Sequence, residues 1–186
     1  MTERSPKAGL VILDRDGVIN EDSREFVKSA DEWIPLPGSI DAIARLSSAG
    51  FSVAVASNQS GLARQLFDRD ALAAMHTKLQ ELVEAAGGRI DRIVVCPHGP
   101  DDGCDCRKPA PGLLFQLARY FDVELFGVPV IGDSLRDLQA AVAAGCRPIL
   151  VRSGNGQKTE QRLPQSLRSV EVFDDLAAAA ETLVEE

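Results

Sequence analysis

The sequence predicts an α/β fold in which a mostly parallel sheet is covered by helices on both faces. The first apolar run, LVIL at 10–13, has no polar alternation, which is typical of a strand buried on both faces of a parallel sheet. Stretches with helical character separate this run from the next ones, and such alternation favours βαβ units with right-handed crossovers. The further strands are expected at 51–56, 90–95, 128–131, 148–151 and 170–173.

Residues that cap helices support the helical stretches between these strands. Gly50 suits the position just after the end of a helix over 39–49. Asp68 is expected to cap a long helix that runs to about residue 86. Three more helices are expected at 111–121, 134–144 and 175–184, and a polar loop at 154–164.

Length, composition and charge limit the classes of function. With 186 residues, 45% of them apolar, the chain is expected to form one domain over 1–186. A net charge of −8 without a basic patch argues against nucleic acid, and no apolar run approaches the ~20 residues of a membrane span. The start, at 1–9, lacks the apolar segment of a secretion signal, so we expect a cytoplasmic protein. No heptad pattern is evident, and a monomer is expected.

Four short motifs follow predicted strands or begin predicted helices. They are DRDG at 14–17, SNQSG at 57–61, CRKP at 106–109 and GDSLRD at 132–137. Ligands of parallel sheets bind beyond the carboxyl ends of the strands, so the motifs are expected to meet at one edge. Alone, an Asp-x-Asp pair usually means a turn or a helix cap. The four motifs in this order are far more specific.

The acidic residues of these motifs predict phosphoryl transfer through an aspartyl-phosphate. Asp14 follows the first strand directly and can attack a phosphoryl group only if a divalent cation reduces the repulsion between the two anions. Asp133 follows a different strand and is the expected third contact of Mg²⁺, which prefers oxygen ligands. Asp137 could hold the water shell of the metal. Asp16 would act as general acid and base.

Hydrogen-bond donors and a cation complete the predicted catalytic set. Ser57 and the amides after it are expected to bond the transferring phosphoryl oxygens, and Lys108 to neutralise their charge. The segment 18–37 is too long for a tight turn. Its early part, to about Lys28, is expected to form a flap beside the site, and Trp33 to pack for stability.

A cysteine-rich loop predicts a structural Zn²⁺ site. Cys96, His98, Cys104 and Cys106 offer three thiolates and one imidazole within eleven residues, which suits a closed tetrahedral site. The bland interpretation, unrelated buried cysteines and a surface histidine, fits poorly with a loop rich in Gly, Pro and Asp. Because the loop ends at Arg107 and Lys108, a bound metal would fix how far both cationic side chains extend into the site. Two other residues could serve as a ligand or a catalytic group. Cys146 is interpreted as a core residue and His76 as a solvent-facing side chain.

These segments together resemble the haloacid-dehalogenase (HAD) superfamily phosphatases. Within that superfamily the chain resembles the heptose 1,7-bisphosphate phosphatases, whose relatives include histidinol-phosphate phosphatases. The matching segments are LDRDGVIN (13–20), SNQSGLAR (57–64), CPHGPDDGCDCRKP (96–109) and GDSLRDLQAA (132–141). The resemblance implies a Rossmann-like HAD fold with a minimal cap and a zinc-binding loop at 96–106.

The resemblance also implies roles for particular residues. The nucleophile falls on Asp14, the acid/base on Asp16, and the phosphoryl-stabilising positions on Ser57 and Lys108; many relatives have threonine where this chain has Ser57. Mg²⁺ would be bound by Asp14, by the carbonyl of Asp16 and by Asp133. Substrate contacts would fall on Asp22, Ser23, Arg24, Glu25, Ser57, Asn58, Gln59, Ser60, Arg107 and Lys108, with Arg136 as a weaker candidate.

The expected function is removal of the C7 phosphate from D-glycero-D-manno-heptose 1,7-bisphosphate, with the β-anomer favoured. In that family the reaction serves nucleotide-activated heptose and the lipopolysaccharide core. A histidinol-phosphate phosphatase is the first alternative, which Arg107 disfavours because an aminoalcohol needs no second cation. A receiver domain that stores a phosphoryl group and a non-catalytic zinc-binding module are alternatives of other classes. Asp16, two residues after the expected nucleophile, promotes hydrolysis and so argues against a receiver domain. The intact catalytic set argues against a zinc-binding module without catalysis.

Overall fold

The computed structural model describes residues 9–186 and contains one six-stranded sheet. The order of the strands is β3-β2-β1-β4-β5-β6, and every neighbouring pair is parallel. This arrangement confirms the predicted α/β fold. The strands are β1 (Leu10–Leu13), β2 (Ser52–Asn58), β3 (Arg92–Cys96), β4 (Pro129–Gly132), β5 (Arg147–Val151) and β6 (Glu171–Phe173).

Six α-helices and one 3₁₀ turn connect or follow the strands. They are α1 (Ser39–Ser48), α2 (Arg69–Ala85), α3 (Gly112–Phe121), α4 (Leu135–Ala143), α5 (Gly156–Glu160) and α6 (Leu176–Glu185), with the 3₁₀ turn at Gln165–Leu167. Helix α5 lies in the segment predicted to be a polar loop. Tertiary contacts stabilise it: Thr159 donates to the main-chain carbonyl of Asp133 at 2.8 Å, and Arg152 forms an ion pair with Glu160 at 2.8 Å.

Helices cover both faces of the sheet and enclose two apolar clusters. On one face, alternate residues of β1 and β2 pack against α1, α2 and α6, and this cluster includes the fully buried Trp33. On the other face, Leu10 and Ile12 pack with α3 and α4 and with Cys146. The burial of Trp33 and Cys146 confirms that both are core residues. Among residues 9–186, no helix combines the length and the apolar character needed to cross a bilayer. Residues 1–8, where no secretion signal was found, lie outside the described part.

The sheet order places one crevice at the centre of the fold. Connections run outward from β1 in one direction through β2 and β3, and in the other through β4, β5 and β6. The carboxyl ends of β1 and β4 therefore flank the point where the strand order reverses, which is where open α/β sheets bind ligands. Asp14 and Asp133 are the residues that directly follow these two strands.

Candidate active site

A polar pocket of about 290 Å³ lies at this crevice. Residues from all four motifs line it, together with residues of the segment 18–37 and of the loop before α5. The lining residues are Asp14, Arg15, Asp16, Asp22, Ser23, Phe26, Val27, Asn58, Gln59, Ser60, Arg64, Pro100, Arg107, Lys108, Asp133, Ser134, Arg136, Asp137 and Asn155. The convergence predicted from the motif order is therefore present in the structure.

Lys108 is the buried cation at the centre of the acidic residues. Its Nζ lies 2.8 Å from Oδ1 of Asp14 and 2.6 Å from Oδ1 of Asp137, and it also donates to the carbonyl of Ala56 at 2.8 Å. Burial opposes the charge of the ammonium group, but the two carboxylates outweigh it and raise the pKa of Lys108. Lys108 is therefore a permanent cation beside the predicted nucleophile.

The main chain of Lys108 is held by the side-chain amide of Asn58. The backbone N–H of Lys108 donates to Oδ1 of Asn58, and Nδ2 of Asn58 donates to the carbonyl of Lys108, both at 3.1 Å. The Lys108–Pro109 peptide bond is cis. Asn58 was predicted to contact substrate; although it lines the pocket, its amide is engaged with Lys108.

Three carboxylates can hold a divalent cation at the pocket floor. Ligand atoms of Asp14, Asp133 and Asp137 all lie within 4.8 Å of one another. Burial, followed by repulsion from Asp137, raises the pKa of Asp14 well above its usual range and that of Asp133 to about 7. Lys108 alone does not compensate three buried acids, so an all-oxygen Mg²⁺ site fits this donor set.

Asp137 has two roles in the structure. Its Oδ2 accepts a hydrogen bond from the backbone N–H of Ser134 at 3.0 Å, which is one half of the capping box of α4, and another from the Ser134 hydroxyl. Its Oδ1 pairs with Lys108. Both carboxylate oxygens are thus engaged, and the side chain, 2% exposed, is fixed beside the predicted Mg²⁺ ligands.

Asp133 is enclosed by main chain. The backbone N–H of Asn155 donates to its Oδ2 at 2.7 Å, and Nδ2 of Asn155 also reaches Oδ2 of Asp22 at 2.9 Å. A Cβ at either Gly17 or Gly154 would collide with the Asp133 carboxylate. Only glycine fits at these two positions, where φ is also positive.

Asp16 accepts hydrogen bonds from three side chains. Its Oδ1 accepts from Arg15 and from Nδ2 of Asn20 at 2.9 Å, and its Oδ2 accepts from Nε2 of Gln59 at 2.9 Å. Burial disfavours the carboxylate, but the charge of Arg15 and these hydrogen bonds outweigh it and lower the pKa of Asp16. The unliganded site thus holds Asp16 ionised, as a base requires.

Ser57, at the end of β2, is not placed as the sequence predicted. Gln59 and Ser60 line the pocket, whereas Ser57 is 1% exposed and does not. The Ser57 hydroxyl accepts a hydrogen bond from Nε2 of Gln59 at 2.7 Å. The predicted contact of Ser57 with a phosphoryl oxygen therefore stays a prediction.

The segment 18–37 contributes its early part to the pocket, in the region predicted as a flap. Asp22 and Ser23 line the pocket, while Arg24 and Glu25 are exposed and lie outside its lining. Phe26 also lines it, in a left-handed conformation with φ 65°.

Several residues at the pocket were not singled out from the sequence. Arg64 lies over the ring of Phe26 with its guanidinium carbon 5.5 Å from the ring centroid. Arg15 donates to Asp16, and Asn155 donates to Asp133 and Asp22. The position of Arg15 between two aspartates in the sequence does not indicate that its guanidinium is buried. Arg64 could have been anticipated, because the LAR segment directly after SNQSG suggests a further cation near the site.

The cysteine-rich loop brings its four predicted ligands together. The Cys96 Sγ lies 3.6 Å from Nδ1 of His98, 3.7 Å from Sγ of Cys104 and 3.2 Å from Sγ of Cys106. Zn–S bonds of about 2.3 Å in a tetrahedron place sulfurs about 3.8 Å apart, so the cluster fits Zn²⁺. Arg107 Nη1 donates to the carbonyl of His98 at 3.2 Å, which ties the loop to the pocket wall.

His76 corrects one interpretation from the sequence. Its Nε2 is buried and has no hydrogen-bond partner among the described residues, and the residue as a whole is half-buried rather than fully exposed. Burial, with a further contribution from the charge of Arg15, lowers the pKa of His76 to about 4. The position of His76 within a helix did not predict its burial, because this burial arises where α2 packs against the segment that begins with Arg15.

Comparison with protein families identifies the same regions of the chain. The family model described as polynucleotide kinase 3 phosphatase matches residues 10–131, and the one described as HAD-hydrolase-like matches residues 105–179. Together these two matches include all four motifs.

Similar proteins of known name align over nearly the whole chain. The D-glycero-beta-D-manno-heptose-1,7-bisphosphate 7-phosphatase of Bordetella bronchiseptica is 59% identical over 179 residues, which are 95% of this chain and 98% of that protein. The protein of the same name from Pseudomonas aeruginosa is 55% identical over 177 residues, 95% of this chain and 98% of its own length.

Solved structures agree with these relatives. The crystal structure of D,D-heptose 1,7-bisphosphate phosphatase from B. bronchiseptica, complexed with magnesium and phosphate, superposes with a TM-score of 0.91 at 57% identity and covers 95% of this chain and 98% of that chain. The D,D-heptose 1,7-bisphosphate phosphatase of Burkholderia thailandensis has a TM-score of 0.74 at 44% identity and covers 96% and 99%. The chain therefore belongs to the D-glycero-beta-D-manno-heptose-1,7-bisphosphate 7-phosphatase family of HAD-like hydrolases.

Proposed function

We propose that this protein is a Mg²⁺-dependent phosphatase that removes the C7 phosphate of D-glycero-β-D-manno-heptose 1,7-bisphosphate. The observation that carries the proposal is Asp14, held 2.8 Å from the buried Lys108 beside Asp133 and Asp137 in an open polar pocket. The names of the relatives, and the magnesium and phosphate bound by the B. bronchiseptica protein, support it. We further propose a cytoplasmic, monomeric, single-domain enzyme that supplies heptose 1-phosphate for nucleotide-activated heptose and the lipopolysaccharide core.

Asp14 is the nucleophile in the first half of the reaction. Its Oδ1 is bonded to Lys108, which leaves Oδ2 without a hydrogen-bond partner in the described chain and available to attack. A carboxylate oxygen of Asp14 bonds to phosphorus while the bond from phosphorus to the sugar oxygen breaks. The electron pair of that bond goes to the sugar oxygen, which takes a proton from Asp16. Asp16 is ionised in the unliganded site, so it must take up this proton when the substrate binds, since the negative charge of the phosphate favours the protonated carboxyl.

Water completes the reaction in the second half. Asp16, now ionised, takes a proton from a water whose oxygen bonds to phosphorus, while the bond from phosphorus to Asp14 breaks. Inorganic phosphate leaves, and Asp14 is restored as a carboxylate. The lowered pKa of Asp16 suits this role as base.

Charge placement accounts for most of the acceleration. Mg²⁺, held by the carboxylates of Asp14 and Asp133 and by the main-chain carbonyl of Asp16, would reduce the repulsion between the phosphate and Asp14. Lys108 contributes a fixed positive charge without reorganisation, because its Nζ is already held by three acceptors. Asp137 also holds Lys108 in place through their ion pair.

The pocket wall suits a substrate with a second anionic group. Arg64, Arg107 and Arg136 all line the pocket around the acidic floor. A bisphosphate offers one phosphate to Asp14 and one to these guanidinium groups, which bind phosphate in two-pronged geometry. A positively charged aminoalcohol such as histidinol phosphate gains nothing from three arginines.

The test is phosphate release in the presence of Mg²⁺ from both anomers of heptose 1,7-bisphosphate, fructose 1,6-bisphosphate and histidinol phosphate. We expect the β-anomer to have the largest kcat/KM, with loss of the C7 phosphate alone. Preference for histidinol phosphate would contradict the proposed substrate. Absence of release from every ester by a folded, Mg²⁺-loaded protein would contradict the phosphatase itself.

A further inference from the structure

Arg15 is a buried cation that the reaction as described so far does not use. The residue stands between the nucleophile and the acid/base, yet its side chain is 1% exposed and is among the largest fully buried side chains of residues 9–186. Its Nη1 lies 4.0 Å from Sδ of Met75 on α2, so the guanidinium extends beneath the site into the core. A buried guanidinium is costly unless it is paired.

The partner of Arg15 is Asp16. Nη2 of Arg15 lies 2.7 Å and Nε 3.2 Å from Oδ1 of Asp16, and no other ion pair of Arg15 occurs in the described chain. The Asp16 side chain is 22% exposed, so the pair joins the core to the pocket surface. The main-chain carbonyl of Arg15 also accepts from the N–H groups of Ile19 at 2.8 Å and of Asn20 at 3.2 Å, which fixes the turn that carries both side chains.

The two carboxylate oxygens of Asp16 are made unequal by this arrangement. Oδ1 accepts from two nitrogens of Arg15 and from Asn20, and three donors occupy the directions from which it could exchange a proton. Among residues 9–186, only Gln59 donates to Oδ2. Two donors on one oxygen also prevent the carboxylate from rotating, because rotation would break both contacts with Arg15.

We propose that Arg15 is the positioning residue for Asp16: it holds Oδ1 so that Oδ2 faces the oxygen of the leaving sugar. This inference rests on the proposed phosphatase function. The P–O bond to the sugar breaks, its electron pair goes to the sugar oxygen, and that oxygen takes the proton from Oδ2 rather than from Oδ1. Arg15 acts through Asp16, since its own side chain is only 1% exposed.

The dependence on the leaving group separates this role from a merely structural one. A sugar leaves as a strongly basic alkoxide and needs the proton, whereas p-nitrophenol leaves as a weakly basic phenolate that does not. The parameter kcat/KM includes only steps up to the first irreversible one, here the transfer to Asp14. Hydrolysis of the aspartyl-phosphate, which is common to both esters, therefore does not enter the comparison.

The experiment measures kcat/KM of Arg15→Met and Arg15→Lys with heptose 1,7-bisphosphate and with p-nitrophenyl phosphate. We expect Arg15→Met to lose about 10²-fold on the sugar phosphate and less than about threefold on the aryl phosphate, since general acid catalysis contributes about 10²–10⁴-fold. Arg15→Lys keeps the charge but cannot place two donors on Oδ1, and we expect a smaller loss with the same preference for the aryl ester. Equal loss on both esters would overturn the proposal.

Matched measurements keep the result decisive. Met75→Leu alters the packing against Arg15 without touching Asp16, and we expect its ratio of the two kcat/KM values to equal that of the unmodified protein. A changed ratio in Met75→Leu would assign the effect to packing and overturn the proposal. Thermal unfolding reports whether each variant folds; if Arg15→Met does not, the ratio for Arg15→Lys decides.

Failure of the proposed function has a different signature. If the unmodified protein ignores heptose 1,7-bisphosphate but hydrolyses another alkyl phosphate, the proposed substrate is wrong, and the same ratio on that ester decides the role of Arg15. If the unmodified protein hydrolyses no ester, the phosphatase and the positioning role both fail. If the unmodified protein is active, either equal losses on both esters in the Arg15 variants or a changed ratio in Met75→Leu refutes the role of Arg15 alone.

Discussion

Residues 9–186 contain two clusters that suit metal ions, and they are built in opposite ways. Asp14, Asp133 and Asp137 stand at the ends of β1 and β4 and at the start of α4, so regular structure sets their positions. In the second cluster only Cys96 belongs to a strand, and the other three ligands lie in the loop before α3. That loop has few apolar side chains of its own.

This difference shows that the sheet can assemble the acidic cluster but cannot assemble the sulfur cluster. The acidic cluster is held together against its own repulsion, by main-chain geometry, by the capping box of α4 and by Lys108. The sulfur cluster has no comparable frame, and metal binding there supplies folding free energy to the loop. Loss of metal should therefore change chemistry at the first cluster and conformation at the second.

The largest effect is expected from Asp14→Asn. Removal of the nucleophile should lower kcat by at least about 10⁴-fold. The melting temperature without Mg²⁺ should rise, because burial and the neighbouring carboxylates raise the pKa of Asp14, which means that its charged form is unfavourable in the fold. Phosphate release and calorimetric melting measure the two effects.

A surface substitution of the same type is the control for Asp14→Asn. Asp41, in the first turn of α1, is exposed, and Asp41→Asn should leave kcat unchanged. A fall in melting temperature of Asp14→Asn would show that the acidic cluster stabilises the fold, contrary to the comparison above.

Loss of the zinc cluster is the next largest effect. Cys106→Ser should release the metal and lower kcat/KM on the order of 10²-fold, because Arg107 and Lys108 follow the loop directly and small misplacements are costly in catalysis. Elemental analysis for zinc and steady-state kinetics check both statements. Cys146→Ala, which alters the one cysteine outside the cluster, should change neither. Full activity in zinc-free Cys106→Ser would separate the loop from the site.

The affinity for Mg²⁺ should depend on pH at the acidic cluster. Burial, then Asp137, raises the pKa of Asp133 to about 7, so below pH 7 the cation must displace a proton. The apparent affinity should fall about tenfold per pH unit below 7 and level off above it. Titration calorimetry between pH 5 and 8 measures this, and a flat profile would contradict the assignment of Asp133 as a ligand.

The free energy of unfolding of the Mg²⁺-free protein should also depend on pH through Asp133. The pKa of Asp133 is higher in the fold than its ordinary value of 3.8, so the folded state binds more protons between these two values. The free energy of unfolding should therefore fall as pH rises from about 4 to 7, and Mg²⁺ should restore it.

The smallest effect concerns the amide that holds Lys108. Asn58→Ala removes two hydrogen bonds and should lower the free energy of unfolding by about 1–3 kcal/mol. Asn58→Asp keeps the acceptor for the Lys108 N–H but loses the donor, and about half of the loss is expected. Urea unfolding measures both. Equal stability of all three proteins would show that the sheet, not Asn58, fixes Lys108.

The sequence predicted the strand-end residues because one rule governs them all. In a parallel sheet, residues after the strands meet at one edge, so Asp14 and Asp133 could be placed together without knowledge of any contact. The end of β2 was missed by two residues. Polar Ser57 and Asn58 continue that strand, because their main chain pairs with Val95 and Cys96 of β3.

Other features depend on packing that no local pattern contains. An arginine in DRDG is expected to be solvated. Arg15 is buried because α2 packs against its guanidinium. His76 was misinterpreted for the same reason. Asn155 acts through contacts with Asp133 and Asp22, which lie far from it in the chain.

The order of the strands has a consequence for synthesis of the chain. Strands β1, β2 and β3 are adjacent in the sheet and consecutive in sequence, so a chain growing on the ribosome can pair them early. The other side of β1 receives β4, and with it Asp133 and Asp137, only after translation has passed the loop with the cysteines. The mutually repelling acids therefore come together only when half of the sheet already exists to hold them.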